Sequence, residues 1–172
     1  MEGRPDASEY LPQMGQYVKL VPDGDLIEIL QRQKEETVAL LRGLSEEQAD
    51  YRYAEGKWSV KEVAGHVADN ERVWTYRLLR IVRNDPQTLS GYDQNMFARH
   101  APFGKLPLSV VIDEFAAVRA ATIPLLRSLS DDAWLRQGEF HNRPLSARAA
   151  ACVIVGHEMH HLNVIKNRYL NR

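Results

Sequence analysis

Two histidines stand four residues apart in His157-Glu158-Met159-His160-His161, near the end of the 172-residue sequence. On a helix that spacing puts both rings on one face, about 6 Å apart along the axis, so two imidazole nitrogens can address one divalent ion without bending the backbone. The residues sharing that face, Ala150, Val153, Ile154, Val164 and Ile165, are apolar, so the pair is directed at a protein interior. The alternative use of such a pair is as core histidines hydrogen-bonded to carbonyls. A third histidine, His66, lies in Val63-Ala64-Gly65-His66-Val67-Ala68-Asp69. It flanks that helix's apolar stripe, about 100° from Val67, and enters an interior only where the buried face is broad or the site lies off the axis. Glu71 sits nearer the centre of the stripe formed by Val60, Ala64, Val67, Trp74 and Leu78. An unpaired carboxylate there is costly, so a metal, an imidazole or an arginine should neutralise it.

The segment also matches H-E-x-x-H, in which the glutamate of a zinc protease acts as general base. That chemistry needs a further ligand, yet Leu162 to Arg172 contains no His, Asp or Glu. It also needs a sheet along which a peptide can lie, and no convincing strand is legible.

Helices must position these groups. Residues 1–24 carry Pro5, Pro12 and Pro22 with Gly3, Gly15 and Gly24, which forbid a long helix and predict an extended arm that can pack through Tyr17 to Val21. Asp25 is an expected N-cap for a first helix over 25–43, with Leu26, Leu30, Thr37, Leu41 and Leu44 on one face. Ser45-Glu46-Glu47-Gln48 reads as a capping box opening a short helical turn. Ser59-Val60-Lys61-Glu62 opens a second long helix that ends near Asn84. Residues 85–106, with Pro86, Gly91, Pro102 and Gly104, show no sustained period and form a crossover or a functional loop. A third helix starts at Pro107, with Pro124 expected to kink its last turn, and a fourth runs from about Ser146 to Tyr169. The stretch Leu40 to Glu47 is echoed by Leu125 to Asp132, so each half reads long helix, short capped helix, long helix. The expected class is all-α, a four-helix bundle over 25–172 preceded by the arm, with short capped connecting helices.

The composition supports one globular domain: 44% of residues are hydrophobic and 26% charged. Twenty-two Lys and Arg against 23 Asp and Glu give a net charge of −1, with no broad basic surface for phosphate, so no nucleic-acid partner is expected. The start of the sequence has no apolar signal region and the longest apolar run, Ala149 to Val155, is too short to span a bilayer, so a soluble cytoplasmic protein without a membrane partner is expected. The single cysteine, Cys152, lies within that run, where a buried structural thiol is the expectation.

In order and spacing, Gly56-Lys57-Trp58-Ser59-Val60-Lys61-Glu62-Val63 leading to His66-Val67-Ala68-Asp69, with Gly156-His157-Glu158-Met159-His160-His161, resembles the DinB/YfiT-like superfamily of small bacterial metalloproteins. The Val18 to Asp25 arm and Gly91-Tyr92-Asp93 are similar to the YfiT-like branch. The resemblance covers nearly the whole sequence. It implies a four-helix bundle, a homodimer, and a divalent ion, zinc or nickel, held by His66, His157 and His161, with His160 a neighbour.

Three neutral histidine ligands leave a coordination position open, as in catalytic zinc sites. A thiol entering there would be deprotonated, and water would become a hydroxide nucleophile. Family members include S-transferases using thiols such as bacillithiol or mycothiol, a mycothiol-dependent maleylpyruvate isomerase, and proteins described as metal-dependent hydrolases. No side chain supplies an evident nucleophile, since Cys152 is rotated about 140° from His157 on the helix. Thiol transfer onto a small electrophile is therefore the leading expectation, with metal-dependent hydrolysis as the alternative. Tyr92, Asp93 and His100 on the 85–106 connection are candidates for substrate contact, and Glu71 is a further catalytic candidate. A reading from another class is a metal-binding, stress-related dimeric scaffold without turnover.

Overall fold

A computed structural model describes residues 4–171; the outermost ends of the expected arm and domain, residues 1–3 and 172, lie outside the described residues. The N-terminal segment is not extended. Its prolines and glycines limit helix length, but turns form at Ala7–Glu9 and Pro12–Met14 and lead into α1 (Gly15–Val18). Asp6 and Glu9 form a reciprocal capping box, and Pro12 occupies the first position of its turn, where no N–H is needed.

The long helices begin where their caps predict. Asp25 Oδ1 accepts the N–H groups of Ile27 and Glu28 at the start of α2 (Leu26–Arg42). The Ser45 and Gln48 box opens α3 (Glu46–Asp50), and the Ser59 and Glu62 box opens α4 (Val60–Val82). The connection after α4 is more ordered than its sequence suggests. Asp93 caps α5 (Gln94–His100), and a short turn, Phe103–Lys105, precedes α6 (Leu108–Arg127), which runs on past Pro124.

The echo of the first half is realised as α7 (Asp131–Leu135) following Ser130. Next comes a hairpin the sequence did not disclose, β1 (Gln137–Phe140) antiparallel to β2 (Arg143–Ser146), with Phe140 opposite Arg143. His141 and Asn142 both have positive φ, at 51° and 59°, the backbone that a two-residue turn of this hand requires. Ser146 then caps α8 (Ala147–Val164), whose last turns widen into a π-helix over Ile165–Leu170.

Four long helices make the bundle. α4 packs on α8 and α6, and α2 packs on the same two, so helices consecutive in sequence, α2 with α4 and α6 with α8, lie across the diagonals. Each diagonal crossing carries a short helix, α3 in one half and α7 in the other; α3 has the expected capping box, whereas the Ser130 hydroxyl before α7 donates to the Asp132 carboxylate and makes no cap. Leu30, Leu41, Leu78, Phe115 and Leu126 fill the interior, and Ala149 to Ala151 on α8 are buried, letting neighbouring backbones approach closely. α1 lies along α8, and the turn before it is tied to α8 by an ion pair between Glu9 and Arg148. Among the described residues no helix is long and apolar enough to cross a membrane.

Candidate metal centre

His66 projects from α4 toward His157 and His161 on α8. Two of these histidines follow glycines against which other parts of the chain pack closely. A Cβ on Gly65 would lie 2.2 Å from the Phe103 ring, and one on Gly156 would lie 2.0 Å from the Tyr17 carbonyl oxygen. The glycines let the connection and the N-terminal segment close over the two histidines that follow them. Trp58 stacks at a tilt on His66, and Tyr17 meets the His157 ring edge-on, with centroids 4.9 and 5.3 Å apart.

Nε2 of His157 lies 3.1 Å from Nε2 of His66 and 3.2 Å from Nε2 of His161. All three ligand atoms lie within 4.8 Å of one another. Nitrogens bound at 2.0–2.1 Å to one tetrahedral ion are separated by roughly 3.3 Å, so the donor set has the spacing a shared ion demands. Burial favours neutral imidazoles: His66 falls to about 4 and His161 to about 3, the latter also through neighbouring imidazoles, and His157 lies well below the usual range. In the tautomer with unprotonated Nε2 atoms, three lone pairs converge on one point, an arrangement that a bound cation would satisfy. The residues fit a divalent ion, and His160, which meets Tyr17 and His161 edge-on, stays outside the converging group.

The carboxylates expected near this centre are engaged elsewhere. Glu71 takes two hydrogen bonds from Arg119, both 2.8 Å, so of the partners expected for this buried carboxylate the arginine is the one found. Glu158, the H-E-x-x-H glutamate, also binds Arg119 and accepts a 2.6 Å hydrogen bond from Thr37. Arg119 additionally donates to the Leu30 carbonyl, and the whole cluster is buried. The glutamate following a helical histidine is rotated about 100° from it, and here that rotation carries Glu158 into the core, away from the role the protease motif requires.

A cavity of about 380 Å³ opens beside His157, and Tyr17, Asn70, Trp74, Arg77, Tyr92 and His141 are among its walls. Tyr92 lies on the wall of this cavity, donating a 2.7 Å hydrogen bond to Asn70; burial raises its phenol to about 12. Asp93 stands at the start of α5, where its carboxylate caps the helix by accepting from the N–H groups of Asn95 and Met96. His100 faces a different cavity, of about 580 Å³, with Asp69, Phe103 and Glu114, which none of the three converging histidines lines. Cys152 is buried with its thiol pushed up to about 12, and it borders neither cavity. Sequence reasoning missed Tyr17, Arg77 and His141. Tyr17 was legible only as a packing residue of the N-terminal segment, and Arg77 only as a cation three residues beyond Trp74 and beside the buried Leu78.

The DinB superfamily sequence profile matches residues 29–165, most of the sequence. The chain belongs to the DinB superfamily. This DinB protein is 27% identical over 128 residues to a protein of Oceanobacillus iheyensis provisionally named a metal-dependent hydrolase, covering 73% of each. A Bacillus pumilus protein with the same provisional name is 26% identical over 127 residues, covering 72% of this chain and 71% of that protein. In structure the chain resembles YfiT from Bacillus subtilis, described as a probable metal-dependent hydrolase with an unusual four-helix bundle topology. The TM-score is 0.70 at 20% identity, over 96% of this chain and 90% of YfiT. A mycothiol-dependent maleylpyruvate isomerase matches with a TM-score of 0.64 at 15% identity, over 83% of this chain and 60% of the isomerase. At these identities the two structures establish the shared bundle fold.

Proposed function

We propose that this DinB protein is a divalent-metal-dependent enzyme acting on a small molecule, with His66, His157 and His161 as the ligands of zinc or nickel. The observation that carries the reading is the convergence of three imidazole nitrogens, from two buried rings and one half-buried ring, at the separations of a shared coordination sphere. Imidazole donors suit both metals, so the donor set does not choose between them. When bound, the ion supplies a Lewis-acidic position at which a thiol or water is activated near neutral pH.

The protein's own residues hold and shield that position. Trp58 and Tyr17 pack on the ligand rings and restrict water, while the Tyr92 hydroxyl and Asn70 fix the polar wall of the adjoining cavity. Arg119 engages Glu71 and Glu158, and no carboxylate joins the three converging nitrogens among the described residues. A nucleophile that ionises readily without a neighbouring base is therefore favoured, and a low-molecular-weight thiol of the bacillithiol or mycothiol type meets that condition better than water. The reaction is thiol transfer to a small electrophile in a cytoplasmic homodimer. Metal-dependent hydrolysis is the second reading, supported by the names of the Oceanobacillus and Bacillus relatives.

Elemental analysis of protein purified without a histidine tag should find about one equivalent of zinc or nickel, lost on His66→Ala, His157→Ala or His161→Ala. The loaded protein should accelerate conjugation of bacillithiol to monochlorobimane more than hydrolysis of p-nitrophenyl acetate. The reverse preference would establish the hydrolase reading. Absence of metal after reconstitution near neutral pH would leave the histidines structural and favour a non-catalytic scaffold.

A further inference from the structure

The cavity beside His157 contains a permanent positive charge with no carboxylate to meet it. Arg77 is 3% exposed, and its guanidinium lies 4.7 Å from the Trp74 ring centroid and 4.5 Å from that of Phe140. Of its five N–H donors, the one on Nε and one on Nη2 go to the Ser90 carbonyl oxygen, at 3.1 and 2.7 Å. Among the described residues it forms no ion pair, unlike its neighbours on the same helix: Arg72 binds Asp69 and Glu114, and Arg80 binds Asp85. Its desolvation is severe enough to pull the guanidinium down to about 10. Aromatic faces and one carbonyl compensate a buried cation in part, but a guanidinium fork with unused donors at a cavity wall is an anion-recognition element.

The rest of that wall agrees. Its other polar groups, such as Asn70, Tyr92 and Gln94, are neutral, whereas Asp69 and Glu114 border the separate cavity near His100. Arg77 and His66 lie eleven residues apart on α4, which puts them on nearly the same helix face and about 16 Å apart along the axis. The Trp74, Tyr92 and Phe140 rings on the cavity wall suit a flat or apolar body.

We propose that Arg77 is a specificity-determining residue that binds the carboxylate of the small-molecule substrate, and that the substrates of this protein are organic acids carrying their reactive centre toward His157. This deepens the proposed function and rests on it in taking the cavity beside the three histidines as the substrate's. The carboxylate contact itself does not depend on a metal.

Benzoate and its neutral counterpart benzamide are suitable probes, titrated by ligand-observed NMR against zinc-loaded and chelator-treated protein. Benzoate should bind about tenfold or more tightly than benzamide in both forms, the advantage expected of a charge-assisted contact. Arg77→Gln, which retains a donor for Ser90, should abolish that preference, and Arg80→Gln should keep it. Arg77→Lys should weaken it, because an ammonium lacks the planar fork. Equal binding of the two probes to wild type overturns the proposal without recourse to any variant. So does an undiminished preference for benzoate in a folded Arg77→Gln protein, and so does a preference confined to the zinc-loaded form, which would assign the anion to the metal. Zinc stoichiometry measured on the same samples tests the metal centre separately, so failure of one reading is distinguishable from failure of the other.

Discussion

A buried polar residue is informative only when its partner is known, and Arg119 shows why. It holds two carboxylates and a backbone carbonyl at a position with 0% exposure, so removing it strands Glu71 and Glu158 in the core. Arg119→Ala should cost about 3–5 kcal/mol, the range for breaking a buried ion pair from one side, measured by urea unfolding. Glu158→Gln discriminates between motif and geometry. If Glu158 served the metal centre as in a zinc protease, metal-dependent turnover would collapse at unchanged stability. With Glu158 bound to Arg119 and Thr37, the variant should instead lose stability and retain its metal. The histidines make a pH prediction. Burial lowers His66 from 6.5 to about 4 and His161 to about 3, so below about pH 6.5 the unfolded chain takes up protons that the folded chain refuses. The melting temperature of chelator-treated protein should therefore fall as pH drops from 7 toward 4, and His66→Ala should flatten that slope. A wild-type profile flat over this range would show that the rings are not held neutral.

At the scale of elements, the N-terminal segment is a structural part of the site. The Tyr17 backbone rests on Gly156, one residue before His157, and Glu9 is paired with Arg148 on α8. Gly156→Ala must push that backbone away; the expected loss is about 1–3 kcal/mol, as for other overpacked contacts, with weakened metal retention measured by chelator competition. The Glu9 carboxylate is held down to about 2, chiefly by Arg148. Its contribution is full above the unfolded value of 4.5 and is lost as pH falls through about 2. Glu9→Gln should thus lower the melting temperature at pH 7 and match wild type near pH 2. These contacts mark the boundary of what the sequence discloses. Ser45, Ser59, Asp25 and the apolar stripes announce helices because caps and periodicity are local. The hairpin at 137–146 is hidden because its strands are four residues long, contain Pro144 and owe their turn to two non-glycine residues at positive φ. α5 is hidden because it buries no residue and so has no stripe to read. The cap made by Asp93 was not legible because a capping aspartate and a substrate-binding one are the same residue type in sequence.

For the molecule as a whole, the diagonal topology separates the two sources of the histidines. α4 and α8 come from different halves of the sequence and touch along the bundle, with α2 and α6 completing the ring. The pair at 157 and 161 was legible from spacing alone, whereas its meeting with His66 depends on long-range packing that only the family resemblance anticipated. The same arrangement makes an ion at the centre a crosslink between elements brought together late in the chain's length, and binding to the folded state alone raises stability by mass action. Zinc at about a hundredfold over its dissociation constant should stabilise the chelator-treated protein by about 2.7 kcal/mol, read as a concentration-dependent rise in melting temperature. His66→Ala, which removes the α4 ligand and leaves the two on α8, should abolish most of that increment. If zinc stabilised His66→Ala as much as wild type, the ion would be held within α8 alone, and the crosslink between the halves would have to be abandoned.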